Sequence, residues 1–176
     1  MKLCMFSTRE PLLERGWPGR IDGDTVVQLA AQTLQSFFAG GGQAREHAEY
    51  PLADVVFRAP VLHPPSVRIF DGDGDFVFAN PAAIRAVGEE PDLPGAEPVE
   101  RVAGIIGAAG AIGGFTPLVE WVAPRLPGAK QRDFALTLGP VVTTPDEQVP
   151  PGVDWERIVA YAAENTRLYP GDVIAA

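Results

Sequence analysis

The sequence predicts a β-rich α+β fold, and three observations support this prediction. The 176 residues include 19 glycines and 18 prolines, a composition that favours many turns and short strands over a helix bundle. Apolar runs of strand length lie between these turn signals along most of the chain. Apolar residues make up 46% of the chain, which is enough to bury a core.

The first part of the chain predicts a small N-terminal β/α domain over residues 1–62. Residues 2–7 and 20–21 flank a Gly/Pro-rich segment and predict a hairpin. A single helix over residues 25–38 is predicted by apolar residues at helical spacing: Val26, Leu29, Ala30, Leu34 and Phe37. We further expect a short polar helix over residues 43–49 and strands at 55–57 and 61–62. His63-Pro64-Pro65 reads as a linker, which places the boundary between two domains at 62/63.

Residues 63–176 predict a second, mainly β domain. Strands are expected at 67–70 and 76–80, joined by an acidic turn, and then at 102–106, 115–119, 134–138 and 141–143. Asn80 with Pro81 predicts the start of a short helix. Asp154 predicts the N-cap of a helix with one apolar face, and a last short strand follows near the end of the sequence.

Charge and composition exclude several classes of function. The net charge of −9 repels phosphate backbones and anionic lipid, so we expect neither a nucleic-acid nor a membrane partner. One cysteine, Cys4, excludes an internal disulfide framework, and two histidines make a His-rich zinc site improbable. Residues 102–119 carry no charge, but their many glycines favour two buried strands over a membrane span. We therefore expect a soluble, cytoplasmic protein.

Familiar binding and catalytic motifs are absent from the sequence. Residues 71–75 alternate Asp and Gly as an EF-hand loop does, but Phe76 and Ala82 stand where that loop needs Gly and Glu. The glycines of residues 104–114 do not follow the dinucleotide-binding pattern, and no serine lies in a nucleophile turn. His47 and His63 fit a surface and a packed linker position better than a catalytic one.

Five segments, taken together and in order, resemble the fumarylacetoacetate hydrolase family: RIDGDTVVQLAA, RAPVLHPPSVRIF, FVFANPAAI, AKQRDFALTLGPVVTTPDE and IVAYAAENTRLYPGDVI. The resemblance implies that residues 63–176 form a shortened version of the mixed β-roll of that family, commonly found as a dimer. Members of the family use Mg²⁺ or Mn²⁺ to chelate 2-oxo acids or 1,3-diketones, which they hydrolyse, decarboxylate or tautomerise. The metal acts as a Lewis acid that polarises the oxo group and stabilises an enolate.

The positions of the family's acidic metal ligands differ in this chain. Ile69 stands in place of an Asp, and Val99 and Arg101 stand in place of the Glu-x-Glu pair. Glu120 alone stays acidic, and Lys130 matches the family's active-site lysine. One carboxylate and a lysine do not supply the oxygen shell that Mg²⁺ requires, so we expect no metal. Bound Mg²⁺ or Mn²⁺ stays an alternative if an insertion brings Glu97 or Glu100 into a ligand position.

The resemblance therefore leads to a hypothesis about the site. The expected catalytic residues are Glu120, Lys130 and Arg101, because a fixed guanidinium can stabilise an oxyanion where the metal stood. The expected substrate-binding residues are Ile69, Val99, Val119, Phe70 and Trp121. The alternative is that Arg101 and Glu120 form only a structural ion pair.

The function predicted is that of a metal-independent lyase, isomerase or cyclase acting on a mostly apolar oxo or enol compound of polyketide type. Holding one reactive conformer can itself accelerate ring closure. Two alternatives stay open: a non-catalytic scaffold subunit, or a metal-dependent 2-oxo acid hydrolase or decarboxylase if the alignment of ligand positions is wrong. A small-molecule substrate and a homodimer are the expected partners.

Overall fold

The computed structural model describes residues 1–72 and 74–176, so Asp73 of the predicted acidic turn lies outside the described residues. Over these residues the chain forms thirteen strands in one mixed sheet and two α-helices. The β-rich α+β prediction is confirmed.

The N-terminal part contains five strands and the first helix. In chain order they are β1 (Lys2–Thr8), β2 (Trp17–Asp22), β3 (Thr25–Leu29), α1 (Leu34–Ala39), β4 (Glu46–Pro51) and β5 (Val55–Arg58). The remaining elements are β6 (Val67–Asp71), β7 (Asp75–Ala79), β8 (Ile84–Arg85), β9 (Glu97–Ile106), β10 (Ile112–Val122), β11 (Leu136–Leu138), β12 (Val141–Thr143), α2 (Trp155–Ala162) and β13 (Val173–Ala175).

The strands follow the order β4-β3-β2-β1-β12-β10-β9-β13-β6-β7, while β5 pairs with β1 and β11 joins β10 to β8. The pairs β6–β13 and β8–β11 are parallel and the other pairs are antiparallel. The last strand, β13, therefore lies between β9 and β6, and it brings β6 into the same sheet as the long β9–β10 hairpin.

The helix predicted over residues 25–38 is wrong, because strand and helix share that segment. Gly23 has a positive φ of 55° in the turn that joins β2 to β3, and the β-branched Val26 and Val27 are buried in β3. The helix begins only after Thr33, whose side chain accepts a hydrogen bond from the Ser36 N–H. The apolar residues that appeared to share helical spacing belong to two elements: Val26 and Leu29 to strand β3, and Leu34 and Phe37 to helix α1.

The polar helix predicted over residues 43–49 is also wrong, because β4 occupies Glu46–Pro51 and pairs with β3. Residues 61–62 form a bend and not the expected strand. Both errors fall in short segments whose conformation is set by neighbours that are distant in the sequence.

The predictions for residues 63–176 are largely confirmed. β6 and β7 form the expected hairpin, and residues 102–119 lie within the antiparallel pair β9–β10. Asp154 caps α2 by accepting from the Arg157 N–H, whereas Asn80 caps a single 3₁₀ turn, Pro81–Ala83. Among the helices of the described residues, none has the length and hydropathy needed to cross a membrane.

The largest apolar cluster draws residues from both sides of the predicted domain boundary. Leu3, Met5 and Leu34 pack in it together with Ile69, Leu136 and other buried residues. β1 pairs with β12, so the sheet continues from one part of the chain to the other. The division into domains 1–62 and 63–176 stays a prediction. What the shared core provides is a rigid frame for the ends of β6, β9 and β10.

Candidate functional site

The β9–β10 hairpin places Arg101 and Glu120 on one face of the sheet. Arg101 lies opposite Leu118, and Val99 lies opposite Glu120. Side chains of directly opposite residues share a face, and residues two apart along a strand do the same. Arg101 and Glu120 therefore stand diagonally across the hairpin, within reach of each other.

Glu120 is the buried centre of the cluster, and its side chain is 1% exposed. Its Oε2 accepts a hydrogen bond from Arg101 Nε at 2.8 Å. Its Oε1 accepts a hydrogen bond from Arg132 Nε, and Arg132 follows the short 3₁₀ turn Gly128–Gln131. A buried carboxylate is tolerated only when it is paired and hydrogen-bonded, and here both of its oxygens have a cationic donor.

Arg101 extends the cluster towards the end of β6. Its Nη1 donates to the Phe70 carbonyl at 3.0 Å, and its Nη2 donates to Asp71 Oδ1 at 2.7 Å. The other Asp71 oxygen accepts from Arg132 Nη1 at 3.3 Å. The four side chains form a closed ring in which each carboxylate bridges the two guanidinium groups. We refer to Arg101, Glu120, Arg132 and Asp71 as the two-arginine cluster.

The charges of the cluster balance, and they shift the pKa of two members. Burial raises the pKa of Asp71, but the hydrogen bond from Arg101 and the charge of Arg132 outweigh it, so that the net pKa is lowered. The hydrogen bond to Glu120 raises the pKa of Arg132. Asp71 is thus ionised at neutral pH although it stands at the rim of the site, with its side chain 53% exposed.

The other residues predicted for the site are distributed over both faces of the sheet. Ile69 is fully buried in the core on the face of Arg101, and Val99 is partly exposed there. Val119 and Trp121 alternate with Glu120 along β10 and point to the opposite face, where Trp121 Nε1 donates to Thr137 Oγ1 at 3.0 Å. The Phe70 side chain also lies on that opposite face, packed on Phe76, so that Phe70 reaches the cluster only through its carbonyl.

Lys130 lies outside the two-arginine cluster. Its side chain is 71% exposed, and its Nζ forms an ion pair with Asp133 Oδ2 at 2.7 Å. The catalytic roles of Glu120, Arg101 and Lys130 stay predictions, but only the first two are brought together. Arg132, two residues after Lys130, takes the position beside Glu120.

Sequence reasoning missed Asp71 and Arg132. A signal was present for each: Asp71 directly follows the VRIF strand, and Arg132 lies in the AKQRDF segment that resembles the family. A buried Glu120 also requires more than one donor to be satisfied, which points to a second cation beside Arg101.

The cluster is filled by its own side chains. In the described part of the chain, five of the surface cavities, of about 270 to 560 Å³, have none of Arg101, Glu120 and Arg132 in their lining. The route from solvent to the cluster runs past Asp71 and Arg132, whose side chains are 53% and 34% exposed.

No model of a known family matches this chain, and no curated protein matches it in sequence. Solved structures do match. A maleylpyruvate hydrolase from Sphingobium sp. SYK-6 superposes with a TM-score of 0.77 and 19% identity, covering 99% of this chain and 87% of the hydrolase chain. A 2-hydroxyhepta-2,4-diene-1,7-dioate isomerase from Mycobacterium marinum superposes with a TM-score of 0.74 and 20% identity, covering 99% and 86%.

A third similar structure is a 2-keto-3-deoxy-D-arabinonate dehydratase in complex with magnesium and 2,5-dioxopentanoate. It has a TM-score of 0.73 and 16% identity, covering 99% of this chain and 86% of its own. This chain has the fumarylacetoacetate hydrolase fold. The hydrolase from Sphingobium has also been solved with manganese(II) and pyruvate, so similar structures with this fold bind a divalent cation.

The residues that the structure describes do not fit that cation. Within residues 1–72 and 74–176, no three His, Cys, Asp or Glu side chains converge to hold a metal ion. The two carboxylates of the cluster are both bonded to guanidinium groups, whose positive charges repel a divalent ion. Mg²⁺ needs several oxygen ligands in near-octahedral geometry, and this donor set does not provide them.

Proposed function

We propose that this chain is a metal-independent enzyme, a lyase, isomerase or cyclase, that acts on a small oxo or enol compound at the two-arginine cluster. One observation carries the proposal. The Arg101 guanidinium donates to three oxygens, from Glu120, Phe70 and Asp71, at 2.7 to 3.0 Å. A cation held in a cage of oxygens is the arrangement expected where a positive group takes over the position of a metal ion.

A guanidinium can perform part of the work of that metal ion. It is a permanent positive charge with a rigid fork of donors that matches a carboxylate or an enolate. Donors held in place before the reaction stabilise the negative charge that develops on an oxo group in the transition state. Because both oxygens of Glu120 already accept hydrogen bonds, its part in this proposal is to hold the two guanidinium groups, not to transfer a proton.

Asp71 marks the position where an anionic substrate would bind. It bridges Arg101 Nη2 and Arg132 Nη1 with its two oxygens, as a bound carboxylate or enolate would, and it is the most exposed member of the cluster. In the proposed complex the substrate anion replaces Asp71 between the two guanidinium groups. The apolar part of the substrate would lie against Val99, which is 37% exposed on the same face of β9.

The first test measures catalysis without metal. Phenylpyruvate is a suitable probe because its enol absorbs ultraviolet light, so that enol–keto conversion can be followed directly. We expect acceleration that persists in excess EDTA and falls about a hundredfold in Arg101→Met, since the cation that stabilises the enolate is lost. Arg20 lies on β2, which β1 and β12 separate from β10, and it forms ion pairs with Asp22 and Glu46. Arg20→Met is therefore the matched control and should leave the rate unchanged. A rate that disappears with EDTA would contradict the proposal.

A second test restores the family's ligand pattern. We expect calorimetry to detect no Mn²⁺ binding by the wild-type chain, with or without oxalate, and to detect Mn²⁺ binding by Val99→Glu/Arg101→Glu with oxalate. The double substitution would place carboxylates beside Glu120 and remove one guanidinium group. Oxalate-dependent Mn²⁺ binding by the wild-type chain would instead favour a metal-dependent 2-oxo acid hydrolase or decarboxylase.

A non-catalytic subunit is the second candidate, and the hydrogen bonds within the cluster favour it, because they leave few groups free to bind a substrate. Glu120 and the Arg101 guanidinium have partners at each of their described polar atoms, and the five cavities lie elsewhere. If phenylpyruvate and related enols show no acceleration while Arg101→Met unfolds at lower temperature, the cluster is a structural ion pair. We also propose a homodimer, which is supported by the open edge of the sheet at β4, the strand at the opposite end from β7. Light scattering of the purified chain tests it.

A further inference from the structure

A second group of polar and aromatic side chains lies on the β6–β7 hairpin, on the face opposite to the two-arginine cluster. Arg68 pairs with Phe78 and Phe70 pairs with Phe76, so these four side chains share one face. Ile69, which alternates with them, points into the core. Helix α2 packs beside this face, where the Tyr161 ring contacts both Phe70 and Phe76.

The hairpin and the end of α2 border an open surface cavity of about 470 Å³. Its walls include three aromatic rings and several polar groups: Arg68, Phe76, Phe78, Tyr161, Glu164 and Thr166. The volume lies within the range of cavities that hold small organic ligands. We refer to it as the aromatic cavity.

Arg68 is the buried charge of the aromatic cavity, and its hydrogen bonds are incomplete. Its side chain is 6% exposed and its Nη1 donates to Ser66 Oγ, but its Nε is buried with no hydrogen-bond partner in the described part of the chain. The nearest carboxylate oxygen among the described residues, Asp172 Oδ2, lies 4.0 Å from Arg68 Nη1. Asp172 itself accepts from Ser66 Oγ at 2.6 Å and from the Tyr169 N–H at 2.7 Å.

The aromatic rings hold the Arg68 guanidinium at the cavity wall. Its central carbon lies 5.6 Å from the Phe76 ring centre and 5.1 Å from that of Phe78. Cation–π contacts of this kind stabilise a positive charge without using its hydrogen-bond donors. A buried cation whose hydrogen bonds are incomplete, beside three rings, is suited to a ligand that carries one anionic group and a flat apolar body.

We propose that the aromatic cavity binds a flat apolar monocarboxylate, with the carboxylate at Arg68 and the apolar body against Phe76, Phe78 and Tyr161. Glu164 lines the same cavity and repels a second negative charge, so monocarboxylates are preferred to dicarboxylates. The proposal does not depend on the function proposed for the two-arginine cluster, which lies on the other face of the sheet.

Titration with 2-naphthoate, followed by ligand-detected NMR, tests the proposal on the full chain. We expect saturable binding with a dissociation constant below about 1 mM, and about tenfold weaker binding of the neutral 2-naphthamide. Phe78→Ser should weaken 2-naphthoate binding about tenfold. Its control is Val77→Ser, at an exposed position on the other face of the same strand, which should bind as the wild type does.

Arg68→Lys separates the charge from the geometry of the guanidinium, and we expect it to weaken binding at least threefold. Circular dichroism shows whether the Arg68→Lys variant is folded. If it is not, Phe78→Ser, at an exposed position, provides the test. The proposal is overturned by the absence of saturable 2-naphthoate binding, or by equal binding of 2-naphthoate to Phe78→Ser and Val77→Ser. It is also overturned if 2,6-naphthalenedicarboxylate binds as tightly as 2-naphthoate.

Discussion

Two arginines on the strands that flank β13 in the sheet have opposite surroundings. Arg101, on β9, donates to oxygens of Glu120, Phe70 and Asp71 at 2.7 to 3.0 Å. Arg68, on β6, donates to Ser66, lies 4.0 Å from the nearest carboxylate oxygen and is flanked by two aromatic rings. Arg101 is held by direct hydrogen bonds to two carboxylates and a carbonyl, whereas Arg68 is held by one hydroxyl, two rings and a more distant carboxylate.

This difference shows that a single sheet can place the same residue type in two different environments. Charge-assisted hydrogen bonds fix the geometry of Arg101 and balance the negative charge of the buried Glu120. Aromatic faces and a hydroxyl leave Arg68 with an unused donor. The cluster of Arg101 therefore depends most on the buried Glu120, which bonds to both of its guanidinium groups.

The largest effect is expected from Glu120→Gln. The amide keeps the shape of the side chain but leaves two guanidinium groups without their shared negative charge. Since breaking a buried ion pair leaves an uncompensated charge, we expect the free energy of unfolding to fall by about 3 kcal/mol. Urea denaturation measures it, with Asp22→Asn, at an exposed ion pair of Arg20, as the control. A loss as small as that of the control would show that the cluster is not essential to the fold.

A smaller effect is expected when the two arginines themselves are compared as Met variants. Arg101→Met leaves the buried Glu120 with Arg132 alone and should cost about 2 kcal/mol. Arg68→Met leaves Asp172 with its hydrogen bonds from Ser66 and Tyr169, and it should cost about 1 kcal/mol. Thermal and urea unfolding of both variants provide the measurement. Equal losses of unfolding free energy in the two variants would show that the different surroundings of the two arginines do not affect stability.

The smallest effect concerns pH and Asp71. Because the folded-state pKa of Asp71 is lowered below its ordinary value of about 3.9, its contribution to stability is present above that pH and is lost as pH falls through the folded-state pKa. Its side chain is half exposed, so the contribution is at most about 1 kcal/mol. We expect Asp71→Asn to be slightly less stable than wild type at pH 7, and we expect this difference to shrink as pH falls below about 3.9. A difference that persists at the lower pH would contradict this account.

Sequence reasoning succeeded where local signals agreed with each other. The β6–β7 hairpin, the β9–β10 hairpin and the Asp154 cap of α2 each combine a turn or capping residue with a matching apolar pattern. It failed over residues 25–49, where Val26 and Leu34 share helical spacing but belong to a strand and to a separate helix. Strand pairing between distant segments overrides spacing of this kind.

For the candidate site, some of the residues could be predicted from the sequence, but the residues that contact them could not. The resemblance to a family singled out Arg101 and Glu120, which the hairpin register brings together. It also singled out Lys130, although Arg132 is the neighbour of Glu120. Which residue of this short 3₁₀ turn and its end faces the sheet is set by packing.

By itself, then, the sequence determined the β-rich class and the two long hairpins, because these depend on composition, alternation and turn residues. Only the tertiary structure decided that Asp71 and Arg132 complete the two-arginine cluster, that Val119 and Trp121 face away from it, and that Arg68 lies at an aromatic cavity. Those features arise where β6, β10 and the turn before β11 meet. Contacts between segments so far apart in the chain are fixed by the global packing of the sheet, which no local pattern encodes.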